Sequence, residues 1–96
     1  MERTFVRVEL EHAHAEAPFA AAMGQLGFTQ TVTGRMTRKP LHLPSGMYLL
    51  ERADPVKALE LTRQAARQTN VRVRIFCVPA GGDIRFANLQ AAARQA

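Results

Sequence analysis

The sequence predicts an α+β domain in which two helices cover one face of an antiparallel β-sheet. Two segments, at 3–10 and 71–78, alternate apolar and polar side chains with the two-residue period of a β-strand. Two others, at 16–26 and 55–69, repeat apolar residues with helical spacing between a start signal and a stop signal. With two more strands between the helices, the predicted order is β-α-β-β-α-β.

The length and composition predict one soluble domain with a basic surface. The chain of 96 residues has room for a single core. No apolar run approaches the length of a membrane helix, and the N-terminus enters a strand pattern directly, so we expect no signal peptide and a cytoplasmic location. Eleven of the thirteen basic residues are arginine and the formal net charge is +5. This balance favours an anionic partner, nucleic acid first, although a high-GC genome would explain the arginines equally well.

The first and last strands each have an apolar face and a face on which arginines flank a phenylalanine. The apolar faces comprise Thr4, Val6, Val8 and Leu10 on the first strand, and Val71, Val73, Ile75 and Cys77 on the last. The opposite faces comprise Arg3, Phe5, Arg7, Arg72, Arg74 and Phe76. We expect the apolar faces to be buried and the lone cysteine to be inert. The opposite face is predicted to be open, cationic and aromatic.

Both helices have recognisable ends. The segment 16–18, Glu-Ala-Pro, favours a helix start, because proline fits the first turn and an acid complements the helix dipole. Gly27 ends this helix as a C-terminal cap. The second helix starts at Asp54, a side-chain cap followed by proline, and ends at Asn70.

The segments outside the helices predict weaker strands. Residues 28–34 form a threonine-rich strand, and 40–44 return irregularly because both prolines lack a backbone N–H. Three basic residues lie at the tip of this hairpin: Arg35, Arg38 and Lys39. Regular pairing is expected to resume over 47–51. After the last main strand, we expect a short edge strand at 84–87 and a fraying helix at 88–96.

This order of elements is that of a ferredoxin-like sandwich with a four-stranded antiparallel sheet. In that topology the first strand lies centrally beside the last, so their arginines and phenylalanines share the uncovered face. Such a face can stack unpaired bases on its aromatic rings and neutralise phosphates with its arginines. The alternatives are that Phe5 and Phe76 pack against a second protomer, or that this face is simply exposed to solvent.

Candidate catalytic residues follow the first strand. Glu11, His12 and His14 could supply a general acid and a general base for cutting RNA. The His-x-His spacing could also ligate a divalent metal, but no third ligand group follows at a suitable spacing, so the sequence assigns no metal and no cofactor. The alternative interpretation is that these are solvated loop residues.

Four segments resemble those of a known family. They are Thr-Phe-Val-Arg-Val-Glu-Leu at 4–10, Met-Gly-Gln-Leu-Gly-Phe-Thr at 23–29, Leu-His-Leu-Pro-Ser-Gly-Met-Tyr at 41–48, and Val-Arg-Val at 71–73 after an alanine-rich helix. Together they look like the GhoS-type endoribonuclease antitoxins of type V toxin–antitoxin systems. The resemblance implies a ferredoxin-like fold similar to the Cas2-type nucleases of CRISPR systems, and cleavage of the messenger RNA of a small membrane toxin. Those nucleases use an aspartate at the end of the first strand for metal, where this chain has Glu9 and Glu11.

The sequence thus predicts a homodimeric, antitoxin-like protein that binds single-stranded RNA and could cleave it. The residues expected to hold phosphates are Arg3, Arg7, Arg72 and Arg74, with Phe5 and Phe76 stacking bases, Arg35, Arg38 and Lys39 extending the basic track, and Glu11, His12 or His14 transferring protons. The alternative is a non-catalytic homodimeric interaction or regulatory module that uses the open face as an interface. A third hypothesis is a small-ligand regulatory domain that uses the loops after the first strand.

Overall fold

The computed structural model describes residues 2–34, 38–81, 85, 87–89, 91 and 92. Its elements are β1 (Arg3–Leu10), a 3₁₀ turn (Ala13–Ala15), α1 (Glu16–Gln25), β2 (Thr31–Thr33), β3 (Pro40–His42), β4 (Met47–Glu51), α2 (Pro55–Thr69) and β5 (Val73–Pro79). The predicted α+β class is confirmed. None of the helices in the described part of the chain has the length and apolar character needed to cross a membrane.

The helix ends form for the reasons that the sequence indicates. The Asp54 carboxylate accepts a hydrogen bond of 2.8 Å from the Lys57 backbone N–H, which caps α2. Asn70 ends this helix in the left-handed conformation, with φ 53°. Gly27 has φ 99°, which a residue with a Cβ rarely adopts, and α1 ends just before it. The predicted positions of both helices are confirmed.

The principal sheet has the order β4-β1-β5, with β1 in the centre and both neighbours antiparallel to it. Val6 and Val8 of β1 belong to one buried cluster with Phe19 and Met23 of α1 and Ala58 of α2. This confirms that the apolar face of β1 lies under the helices. The apolar side chains of β5 pack on the same cluster, but the strand is at the edge and they are only partly buried.

Within the described residues, this sheet has three continuous strands rather than the four predicted. The second predicted strand, 28–34, forms backbone hydrogen bonds with β4 at Thr29 alone, among the described residues: its N–H and C=O exchange hydrogen bonds of 2.9 and 2.8 Å with Leu49. Beyond a bend at Gln30 the chain pairs instead with β3 as a separate two-stranded sheet. The return strand is as short as its two flanking prolines indicate.

This two-stranded sheet packs on the face of β1 that the sequence predicts to be open. Phe5, Val32 and Leu49 form a second buried cluster, against which Leu41, Leu43, Met47, Ala80 and Leu89 pack. Phe5 is only 8% exposed. Its predicted place on an open surface is therefore wrong, because β2 and β3 supply the apolar side chains that cover it.

The C-terminal segment also contributes to this second layer. Ala91 forms an isolated bridge with Leu41, and the Ala92 N–H donates to the Pro40 carbonyl at 3.1 Å. The helix predicted over 88–96 is accordingly not formed at the described positions, where this pairing with β3 takes its place. Two of the four residues of the predicted edge strand at 84–87 fall outside the described residues.

Candidate nucleic-acid interface

The uncovered part of the sheet face lies along β5 and the second half of β1. The register pairs Arg7 with Phe76 and Glu9 with Arg74, and the Glu11 N–H donates to the Arg72 carbonyl at 3.2 Å. Directly paired residues of an antiparallel ladder share one face. We call this surface the open strip. It comprises Arg7, Glu9, Glu11, Arg72, Arg74, Phe76 and Val78.

Two apolar side chains of the open strip are exposed to solvent. Phe76 is 67% exposed and Val78 is 42% exposed. Among the described residues, the other large exposed apolar side chain is Val56, which lies in the first turn of α2 and therefore on the opposite layer of the molecule. An exposed phenylalanine beside exposed arginines provides a surface on which a planar ring can stack.

The arginines of β5 are paired with glutamates of β1. Arg74 Nη1 lies 3.2 Å from Glu9 Oε1, and Arg72 Nε lies 4.0 Å from Glu11 Oε2. All four side chains are at least half exposed, so water screens both pairs and they contribute little to stability. Three arginines and two glutamates leave the open strip with a surplus of one positive charge. The open strip is therefore less cationic than the open face that the sequence predicts.

Several predicted contact residues lie away from the open strip. Phe5 is covered, and Arg3 donates through Nε to the Ala80 carbonyl at 3.3 Å. Arg38 and Lys39 lie in the segment that connects β2 to β3. Arg35 is outside the described residues. The structure therefore brings together four of the nine predicted nucleic-acid-binding residues, namely Arg7, Arg72, Arg74 and Phe76.

The three predicted catalytic residues line one cleft at the end of the open strip. The cleft has a volume of ≈ 680 Å³, and its lining includes Glu11, His12, His14, Asn70 and Arg72. The two imidazole rings are stacked, with centroids 5.4 Å apart and planes inclined by 24°. The described residues contain no group of three histidine, cysteine or acidic side chains that could hold a metal ion.

This cleft has the residue types needed for acid–base chemistry next to a cation. Imidazoles transfer protons near neutral pH, and an arginine can hold a phosphate beside them. Since the rings stack on each other, a phosphate does not fit between them, and a two-histidine mechanism would require the rings to separate. The observed geometry supports phosphate binding beside Arg72 better than concerted acid–base cleavage.

The sequence prediction missed the roles of Glu9, Glu11 and Val78. The bounds of the first strand, 3–10, were predicted correctly, but Glu9 had no predicted partner and Glu11 was a catalytic candidate, whereas Glu9 pairs with Arg74 and the Glu11 N–H bonds to Arg72. The signal was present, because odd-numbered residues of β1 share the face of Arg7. What was missing was the register, which sets each glutamate opposite an arginine.

No protein-family model matches this chain, and no curated protein matches it.

Proposed function

We propose that this protein binds single-stranded RNA through the open strip. Phe76 stacks on a base, while Arg7 and Arg74 on either side of it contact phosphates. The observation that carries this proposal is the exposure of Phe76 in a register that sets Arg7 opposite it and Arg74 two positions away on the same face. A sequence-independent mode of binding follows, since every base has a face that can stack.

The two ion pairs give the proposed surface a specific property. In the free protein, the Glu9 carboxylate is paired with the Arg74 guanidinium. An RNA phosphate therefore has to displace this carboxylate before it can bind the guanidinium fully. Affinity should therefore be modest, and it should rise when the carboxylate is removed. The net charge of +5 supplies long-range attraction for a polyanion.

We further propose a ferredoxin-like fold in which the fourth strand is reduced to the Thr29–Leu49 bridge. The support is the order β4-β1-β5, together with the position of this bridge on the outer side of β4. An antitoxin-like role in the cytoplasm, as the resemblance to GhoS-type proteins implies, is part of the same proposal. Cleavage of a toxin messenger is the activity that would distinguish it from simple RNA binding.

Binding can be tested by the fluorescence anisotropy of a labelled oligouridine at low and moderate salt. The Phe76→Ala variant should bind roughly 5- to 150-fold more weakly, which corresponds to one stacked base. The matched control is Val56→Ala, which removes a similarly exposed apolar side chain from the opposite layer. Equal affinities of these two variants and the wild type would contradict the proposal.

The role of the ion pair can be tested with Glu9→Gln. This change frees Arg74 and should strengthen RNA binding, with a steeper dependence on salt. Glu60→Gln is the control, because it raises the net charge equally but lies on the exposed side of α2. If both variants strengthen binding to the same extent, the effect is one of overall charge and the open strip has no special part in it.

Cleavage is tested in the same experiments by resolving the RNA on a denaturing gel, with magnesium and with chelator. A ribonuclease acting in the cleft should lose activity in His12→Ala and in His14→Ala, while Phe76→Ala weakens substrate binding. His42→Ala is the matched control, because this exposed histidine lies on β3. RNA that binds and stays intact would leave an RNA-binding protein without the nuclease activity.

A further inference from the structure

The outer edge of β5 has no partner strand among the described residues. β5 is the last strand in the order β4-β1-β5. Two described residues that follow it lie on the β1 side: the Ala80 N–H donates to the Arg3 carbonyl at 2.9 Å, and Leu89 packs in the Phe5 cluster. An uncovered edge presents unused backbone donors and acceptors.

The register identifies which backbone groups point outward. Two hydrogen bonds connect β5 to β1 at its ends, from the Glu11 N–H to the Arg72 carbonyl and from the Ala80 N–H to the Arg3 carbonyl. In an antiparallel ladder, hydrogen-bonded pairs alternate with pairs that are not bonded. The N–H and C=O groups that point away from β1 are therefore those of Val73, Ile75 and Cys77.

Both faces of this edge carry apolar side chains that are incompletely covered. Phe76 and Val78 are exposed on one face, and Val73, Ile75 and Cys77 are only partly buried on the other. The devices that usually protect an edge are a proline, a charged side chain or a bulge. β5 has no bulge against β1 and its proline is the last residue, so its one protecting feature is the charged side chain of Arg74.

We propose that β5 pairs with β5 of a second copy of this chain, antiparallel and with the two-fold axis at Ile75. This register sets Val73 opposite the partner's Cys77, so all three outward N–H groups and all three outward carbonyls are bonded. On the open face, Arg74 stands opposite the partner's Phe76. A guanidinium over an aromatic ring is favourable, so the two edges match on the open face as well as in hydrogen bonding.

The neighbouring registers are less favourable. An axis at Arg74 sets the two Arg74 side chains opposite each other, and like charges directly opposite are destabilising. An axis at Phe76 sets Val73 opposite the partner's Pro79, which has no N–H to bond the Val73 carbonyl. The Ile75 register yields one six-stranded sheet in which the open strips of both copies adjoin. This inference does not depend on RNA binding.

The test combines the size of the protein in solution with a cysteine cross-link at the axis. Light scattering should give the mass of a dimer for the wild type. In Ile75→Cys/Cys77→Ser, oxidation should link the two copies, because hydrogen-bonded pairs have Cα atoms about 5.5 Å apart, within the reach of a disulfide. The matched control is Val73→Cys/Cys77→Ser, whose two cysteines would be about 13 Å apart along the strands and should stay unlinked. Val73→Cys alone should link to the partner's Cys77.

The Phe76→Glu variant distinguishes edge pairing from stacking of the two open strips face to face. In the proposed register each new carboxylate stands opposite the partner's Arg74, so the dimer should persist. Face-to-face packing of the strips would be lost, because it would bury the two carboxylates. A monomeric wild type, or a monomeric but folded Phe76→Glu variant, would overturn the proposal. Equal cross-linking of the two double variants would also overturn it. If Ile75→Cys/Cys77→Ser fails to fold, the disulfide between Val73→Cys and the partner's Cys77 tests the same register.

Discussion

Phe5 and Phe76 occupy equivalent positions on neighbouring strands, yet one is 8% exposed and the other 67%. Each lies on the same face of the principal sheet, and each has an arginine two residues before it. The difference arises from the two-stranded sheet and the C-terminal segment, which cover the β4 side of this face and leave the β5 side open. The comparison shows that a strand pattern defines a face, while the segments that pack on it decide whether that face is core or surface.

The largest expected effect contrasts the two phenylalanines directly. Phe5→Ala should destabilise the protein by roughly 3–5 kcal/mol, because it removes a ring from a buried cluster and leaves a cavity. Phe76→Ala should change the free energy of unfolding by no more than about 0.5 kcal/mol, the usual range for a surface position. Urea denaturation of both variants measures this contrast. Similar destabilisation by the two would mean that the open strip is also a packed surface.

The next prediction concerns the turn that fixes β4 against β1. Gly46 has φ 81°, and a Cβ on it would lie 2.6 Å from the Val8 carbonyl oxygen. Its own carbonyl accepts a 2.7 Å hydrogen bond from the Val8 N–H, so the turn cannot move away without losing this bond. Gly46→Ala should therefore cost roughly 1–3 kcal/mol of stability.

Gly24→Ala is the matched control for the turn glycine. Gly24 lies within α1, and a Cβ there would meet nothing within 4 Å. Alanine should favour the helix by roughly 0.5–1 kcal/mol. The two glycine variants should therefore shift the melting temperature in opposite directions. A shift in the same direction would contradict the assigned strain at Gly46.

The sequence was sufficient for the elements whose signals are local. The Asp54 cap, the αL residue Asn70 and the alternation of β1 each act within a few residues, and the structure has all three as predicted. The burial of Phe5 depends on Val32 and Leu41, which are far away in sequence. The ion pair of Glu9 likewise depends on a register with β5 that no local pattern specifies. Contacts between distant segments therefore account for what the sequence prediction missed in the candidate site.

A smaller effect concerns Tyr48, which is buried in the core under the helices and packs edge-on against Phe19 and Phe28. Burial, and then the Glu16 carboxylate, raise the pKa of its phenol. The unfolded phenol consequently loses its proton first, so the stabilisation is complete below about pH 10 and is lost as the pH rises through the folded pKa. Urea denaturation across alkaline pH should show this decline. Compared with the control variant Glu60→Gln, the decline should be weaker in Glu16→Gln and weaker still in Tyr48→Phe, where the phenol no longer contributes to it.

The smallest effect concerns Cys77, on the partly covered side of β5. Burial raises the pKa of its thiol, although the residue is only half-buried. Because the thiolate is the reactive form, alkylation by iodoacetamide near pH 8 should be slower in the folded protein than in urea. Its stabilising contribution has the same sign as that of Tyr48: it is present below the ordinary thiol pKa and lost above the folded one.

The reactivity of Cys77 also tests the proposed edge pairing. If β5 pairs with a second copy, the thiol lies opposite the partner's Val73 and is covered further, so its alkylation should slow as the protein concentration rises. A rate that stays constant over the concentrations at which light scattering shows monomer converting to dimer would mean that the copies associate through another surface. In that case β5 would be exposed at its outer edge as well as on its open face, and the edge would be a third region of the sheet with its own degree of exposure.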